Sequence, residues 1–183
     1  MDTVVFSHLD MIGVGVIIRD HVGSVFATLS KRLPLPLGPL EAEAKALDEA
    51  TIFAWDIGVV DVIFETDSTT VCYAIESPTD ASTSISTIVS RICSRLRDFC
   101  TFHSSHVGRQ GNRPAHTLAV FAKNINSFVR WMAECLQDAM LLLFKEMKVF
   151  LIKKKKKKSI IISTRFRSFS IYIYIYIYLN TYF

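Results

Sequence analysis

Three carboxylates lie where folding could gather them. Asp2 sits beside a short apolar stretch, Val4–Phe6. Glu43 lies near the start of an alanine-rich segment with helical spacing. Asp67 closes the run VVDVIFETDS, Val59–Ser68. Carboxylate oxygens are hard ligands that suit Mg²⁺ or Mn²⁺. Two such ions can clamp the attacking and leaving oxygens at a phosphodiester. Spacing alone does not make the three converge. Asp67 could equally cap the next helix, Glu43 could be a helix-start residue, and Asp2 could fray with the terminus.

The elements that would position them can be read from periodicity. Val59–Phe64 is β-branched and aromatic and too short for a helix, so it reads as a buried strand. The sheet opens to solvent where such a strand ends, and open α/β sheets keep their sites there. Gly13–Arg19 and Ser24–Ser30 read as an antiparallel hairpin about the turn Asp20–Gly23. Three prolines keep Leu33–Leu40 irregular. Leu40–Asp56 then reads as a helix with Glu43, Leu47, Ala50 and Ala54 on one face. A short helix is expected over 68–75 and an amphipathic one from Ile85 to Phe99. A strand is expected over Thr101–Val107, a polar loop over Gly108–Arg113 and a helix over Pro114–Lys123. The order predicts a mixed β-sheet flanked by helices, an α/β fold.

Charge divides the chain. The formal net charge is +4, yet residues 1–144 carry 11 Lys+Arg against 16 Asp+Glu, and residues 145–183 carry 10 against one. The basic balance belongs to the tail, so it gives no basic nucleic-acid face to residues 1–144. The tail holds six consecutive lysines, Lys153–Lys158, and four Ile-Tyr repeats, Ile171–Tyr178. An adenine tract and an alternating TA tract would encode these runs. Residues 145–183 are therefore expected to be disordered or a gene-model artefact, standing apart from a domain at 1–144. A nuclear-import patch or nucleic-acid tail is the functional alternative. Arg165 and Arg167 interrupt the apolar stretch before the repeats and argue against a membrane span. Four cysteines without metal spacing suit a reducing compartment. No basic-then-apolar leader opens the chain, so an intracellular location, nucleus or cytoplasm, is expected.

Four stretches in order then carry a resemblance: GVGVIIRDHVGSVFA (Gly13–Ala27), EAEAKAL (Glu41–Leu47), ETDS (Glu65–Ser68) and HVGRQGNRPAHTLA (His106–Ala119). With a weaker echo in FVRWMAECL (Phe128–Leu136), residues 1 to about 130 resemble the plant RNase H-like domain. This is the type 1 ribonuclease H domain also found in plant non-LTR retroelement polyproteins. The resemblance implies a ribonuclease H-like fold and metal-dependent endonucleolytic hydrolysis of RNA in RNA–DNA hybrids. It implies Mg²⁺ or Mn²⁺ held by Asp2, Glu43 and Asp67. The fourth acidic ligand of cleaving members falls at His116, a neutral and softer group. Only Met1 precedes Asp2, so the first strand is expected to be short of its family length. Arg109, Asn112 and His106 are the candidate nucleic-acid contacts, with Asn112 and Arg113 also able to shape their loop. Phe128 and Trp131 are expected to pack in a last helix. The departure at His116 keeps a second expectation open: a weak or non-cleaving nucleic-acid-binding module of the same fold.

Overall fold

The computed structural model describes residues 1–132, 174–175 and 179–180. Strand β1 (Asp2–Phe6) pairs antiparallel with β2 (Met11–Arg19), and β2 pairs antiparallel with β3 (Val25–Leu33). The β2–β3 turn is the expected one. Gly23 donates to the Asp20 carbonyl at 2.9 Å from a left-handed conformation, φ 84°, which glycine adopts without a Cβ penalty. The Asp20 side chain accepts from the Val22 and Ser24 amides. Helix α1 (Pro39–Asp56) follows, with Pro39 in its first turn. Then come β4 (Asp61–Thr66), α2 (Thr69–Glu76), α3 (Ser86–Leu96), β5 (Thr101–His106), α4 (Arg109–Phe121) and β6 (Phe128–Met132).

Alternation along β2 builds two cores. Ile12, Val14, Val16 and Ile18 join the main core with Leu47, Ala50, Phe53, Ile92 and Leu96 of α1 and α3. Met11, Gly13, Gly15 and Ile17 face the other way, toward α4. Met11 packs there with Ala119, and Ile17 with Ala115 and Leu118. A Cβ on Gly15 would strike the Ala115 carbonyl and the Ala119 amide, and one on Gly13 would strike the Ala119 carbonyl. Ser30 of β3 also donates to the Leu118 carbonyl at 2.8 Å. On the opposite side, fully buried Asp48 of α1 accepts from Lys45, Arg91 and Arg95 and joins α1 to α3.

Two expectations change. Helix α4 begins at Arg109, so Gly108–Arg113 is not a loop. Pro114 lies inside α4, but the partner it forgoes is Gln110 of the first turn, where a tight bond from Gly111 to Gly108 already starts the helix. Phe128–Met132 is a strand on the β3 edge, not a helix. FVRWM is rich in β-branched and aromatic residues, and its partner edge lies open beside it. Residues 133–136 of the same echo lie outside the described residues.

Four residues of the tail are described. Tyr174–Ile175 form a strand, β7, antiparallel to Ile18–Arg19 of β2 and parallel to Ile63–Phe64 of β4. Leu179–Asn180 form β8, parallel to Thr3–Val4. These four residues pair with strands of the sheet. The remainder of 145–183 lies outside the described residues. The sheet runs β5-β4-β7-β2-β1-β8, with β3 and β6 beyond β2. Strand β1 reaches only Met11–Gly15 of β2, and β7 continues along the same edge in the same direction.

Two outcomes are expected. Gly15→Ala should lower stability by about 2–3 kcal/mol, because backbone rather than a flexible side chain blocks the new methyl; denaturant unfolding measures it. Removing residues 145–183 should lower the melting temperature by roughly 5 °C or more, because β2 and β4 lose their shared ladder partner. An unchanged melt would show that the tail adds nothing to the stability of the sheet.

Candidate active site

Strand alternation sets the direction of Asp2. Val4 and Phe6 pack with Met11 and Ala119 on the α4 side, and Asp2, two residues before Val4, shares that face. Asp2 is fully buried. Its Oδ1 accepts from the Thr3 amide at 2.5 Å, and its Oδ2 meets Nδ1 of His116 at 2.8 Å. With Asp2 ionised, the imidazole Nδ1–H is the donor. Asn112, one helical turn before His116, is also fully buried and donates to the Met1 carbonyl at 3.2 Å. Two α4 side chains thus hold the start of β1.

Glu43 is buried in the second turn of α1, on its core-facing side. Asp67 follows β4 and is half-buried. Ser68 caps α2, accepting from the Val71 amide at 3.2 Å, and hydrogen-bonds Glu43. The cap is therefore Ser68, which leaves Asp67 out of that role. His106, at the end of β5, places Nε2 3.1 Å from the Asp67 carbonyl, and the Val107 amide donates to Thr66. The ends of β4 and β5 are thereby closed beside the carboxylates.

The electrostatics bind these groups into one site. Burial pushes the Asp2 carboxyl well above its usual range, and the charge of Asp67 adds to the shift. Burial pushes Glu43 up to about 7; the Ser68 hydrogen bond opposes this, and Asp67 reinforces it. Burial lowers the His116 pKa and so favours the neutral imidazole. Glu65 is also raised to about 7 by burial, against the opposing pull of the Met1 ammonium and Arg19. Oε2 of Glu43 is buried without a hydrogen-bond partner.

The reverse transcriptase-like family model matches residues 2–122, two thirds of the chain and every residue placed in the site. The chain belongs to that family. Among curated proteins no sequence matches. Two solved structures are similar. RNase H1 from the halophilic archaeon Halobacterium salinarum shares 22% identity, with a TM-score of 0.61 over 67% of this chain and 96% of that one. The N-terminal RNase H domain of a Mycobacterium tuberculosis protein, solved as a fusion with maltose binding protein, shares 16% identity. Its TM-score is 0.58 over 67% of this chain and 94% of that one. At these identities the likeness establishes the fold, which is ribonuclease H-like.

Within this reverse transcriptase-like domain the sequence candidates fall into groups. Asp2, Glu43 and Asp67 repel one another electrostatically, so they are neighbours, and His116 joins them through Asp2. His106 lies at the same end of the sheet through the Asp67 backbone. Asn112 is fully buried and braces β1 from inside through the Met1 carbonyl. Arg109 opens α4. Ser68 and Glu65 join the site without having been singled out from sequence. The N-cap rule could have found Ser68, and the two-residue step from Asp67 could have found Glu65.

Among the described residues no group of three or more His, Cys, Asp or Glu is gathered closely enough to hold a metal ion. The donors nevertheless fit a hard divalent cation. They are carboxylates that repel one another, and one buried oxygen has no hydrogen-bond partner. The described residues also contain no helix long and apolar enough to cross a membrane.

The raised carboxyls make stability depend on pH. Glu43 and Glu65 bind protons more tightly in the folded chain than in the unfolded one. Their protonated forms therefore contribute stability at pH below the ordinary glutamate range, and it is lost as pH rises to about 7. Without divalent ions, the melting temperature should fall between pH 5 and pH 8. Millimolar Mg²⁺ should raise it more at pH 8 than at pH 5, because the ion binds the ionised carboxylates. Equal Mg²⁺ shifts at the two pH values would contradict this electrostatic account.

Proposed function

We propose that this domain is a metal-dependent endonuclease that hydrolyses the RNA strand of RNA–DNA hybrids. The observation that carries this reading is the electrostatic coupling of Asp2, Glu43 and Asp67 at one end of a ribonuclease H-like sheet. Asp2 belongs to β1, Glu43 to α1, and Asp67 follows β4. Mg²⁺ or Mn²⁺ is the cofactor this donor set suits. A bound divalent cation supplies an acidified water and neutralises charge at the phosphodiester. The chain's own residues do the rest. Ser68 orients Glu43, while His116 and the Thr3 amide fix Asp2. His106 and the Val107 amide hold the end of β4 from which Asp67 projects. Water attacks phosphorus, the P–O3′ bond breaks, and the 3′ oxygen leaves with a proton from solvent.

A second reading is a nucleic-acid-binding module that does not cut. The Asp2–His116 hydrogen bond favours it, since it replaces a carboxylate with a neutral donor at the site. One experiment separates the readings. The full chain is incubated with end-labelled RNA–DNA hybrid in Mg²⁺ or Mn²⁺, and hybrid binding is titrated at several salt concentrations. The nuclease reading predicts cleavage that falls more than ~100-fold in Asp67→Asn, beyond the ~10–100-fold typical of outer-shell changes at metal sites. Hybrid binding without cleavage supports the second reading. Cleavage unaffected by Asp67→Asn would remove the first.

A further inference from the structure

We propose that the gap between β2 and β4 is a strand-docking site, and that the Ile-Tyr repeat of a second copy of this chain can fill it in place of the chain's own. Strand β5 pairs with β4 along all of Asp61–Thr66. On its other edge, among the described residues, β4 pairs only with β7, at Ile63–Phe64. Strand β1 stops short of this gap. Its pairing with β2 ends at Gly15, and β7 takes up at Ile18. Val16, Ile17, Ile18, Val62 and Phe64 are all buried. Backbone groups at this depth need ladder partners, and each one left unpaired is costly. An extended segment between the two strands supplies them.

The occupant need only be extended and apolar at the right positions. The register sets Ile175 opposite both Ile18 and Phe64, two residues of the main core. The repeat Ile171–Tyr178 carries isoleucine at every second residue. A slip of two residues therefore returns an isoleucine to the same position. Only two residues of β7 pair with each neighbour, so release breaks few bonds. Residues 133–173 separate β6 from β7, and that length of chain reaches about 140 Å when fully extended. The same strand therefore reaches a neighbour's gap, where it meets the same two edges. Exchange of an identical element leaves the contacts unchanged, so concentration decides between the two arrangements. As in other strand additions, the main chain supplies the affinity.

The test uses two preparations of the full chain. The acceptor is isotope-labelled and carries Ile175→Pro, since proline cannot donate to a ladder. The donor is unlabelled and unmodified. Hydrogen exchange, read by NMR on the acceptor alone, follows the gap-facing amides among Ile18, Arg19, Ile63 and Phe64. These should exchange at least about tenfold faster than in the labelled unmodified chain. Donor at about 1 mM, near the effective concentration of a tethered strand, should restore most of the protection. A donor that itself carries Ile175→Pro should restore none. Unchanged exchange in the acceptor would overturn the docking site. Failure of the unmodified donor to restore protection, or equal restoration by the Ile175→Pro donor, would overturn the exchange. If Ile175→Pro does not fold, full chains carrying Arg19→Cys and Tyr174→Cys, register partners between β2 and β7, are mixed and oxidised. A disulfide joining position 19 of one chain to position 174 of another, growing with concentration, supports the proposal. Linkage only within a doubly substituted chain, or none at all, overturns it.

Discussion

Helix α4 lies with its backbone directly on β2. Gly13 and Gly15 allow this, because a methyl group at either would meet a carbonyl of the helix. Ala115, Ala119 and Ala122 are fully buried on the other side of the contact. Small residues on both surfaces bring the two backbones closer than larger side chains would allow. The site depends on this closeness. Asn112 reaches the Met1 carbonyl and His116 reaches Asp2 only because α4 sits this near the sheet. A helix held farther off would leave Asp2 buried with an unsatisfied oxygen, which is costly.

The same residue type has two fates in this molecule. Asp48 and Asp2 are both fully buried aspartates. Burial pushes Asp48 up, but hydrogen bonds from Lys45 and Arg91 outweigh it and hold the carboxyl below its usual range. Burial raises the Asp2 pKa and the charge of Asp67 adds to the rise, while the Thr3 amide opposes it without cancelling it. Asp48 is therefore a satisfied anion that joins two helices. Asp2 and Glu43 are carboxyls whose ionised form burial disfavours, and groups shifted in this way mark candidate functional sites. The main core bears the cost: β2, α1 and α3 bury a continuous set of aliphatic side chains against it.

Much of this could be read in the sequence, and for physical reasons. Period-two and period-3.6 patterns fixed the β2–β3 hairpin, α1, the strand leading to Asp67 and the amphipathic α3. The three carboxylates fell at element ends, where a sheet opens. The missed features depend on contacts between distant parts of the chain. The start of α4 is polar and carries an internal proline, so local pattern spoke for a loop. What anchors it is Asn112 bonded across 111 residues to Met1. Strand β6 is five residues whose partner edge no local signal reveals. The bond between His116 and Asp2 joins residues 114 apart in the chain. Position could mark His116 as a substitution, but only the packing of α4 on β2 shows that it grips Asp2.

The central strand position is shared between the two ends of the chain. Strand β1 pairs with Met11–Gly15 of β2 and β7 with Ile18–Arg19, and β7 alone of these two bonds to β4. Asp2 therefore stands on one side of this seam and Asp67 on the other, with β7 joining β2 to β4. Helix α1, which carries Glu43, packs on β1 and β2. The site is thus a junction of two half-sheets and one helix. Its carboxylates Asp2 and Asp67 come from β1 and the end of β4, on either side of the β7 pairings. A cation drawing them together would act on the fold as well as on the chemistry, since binding that favours the closed arrangement stabilises whatever holds the halves in register.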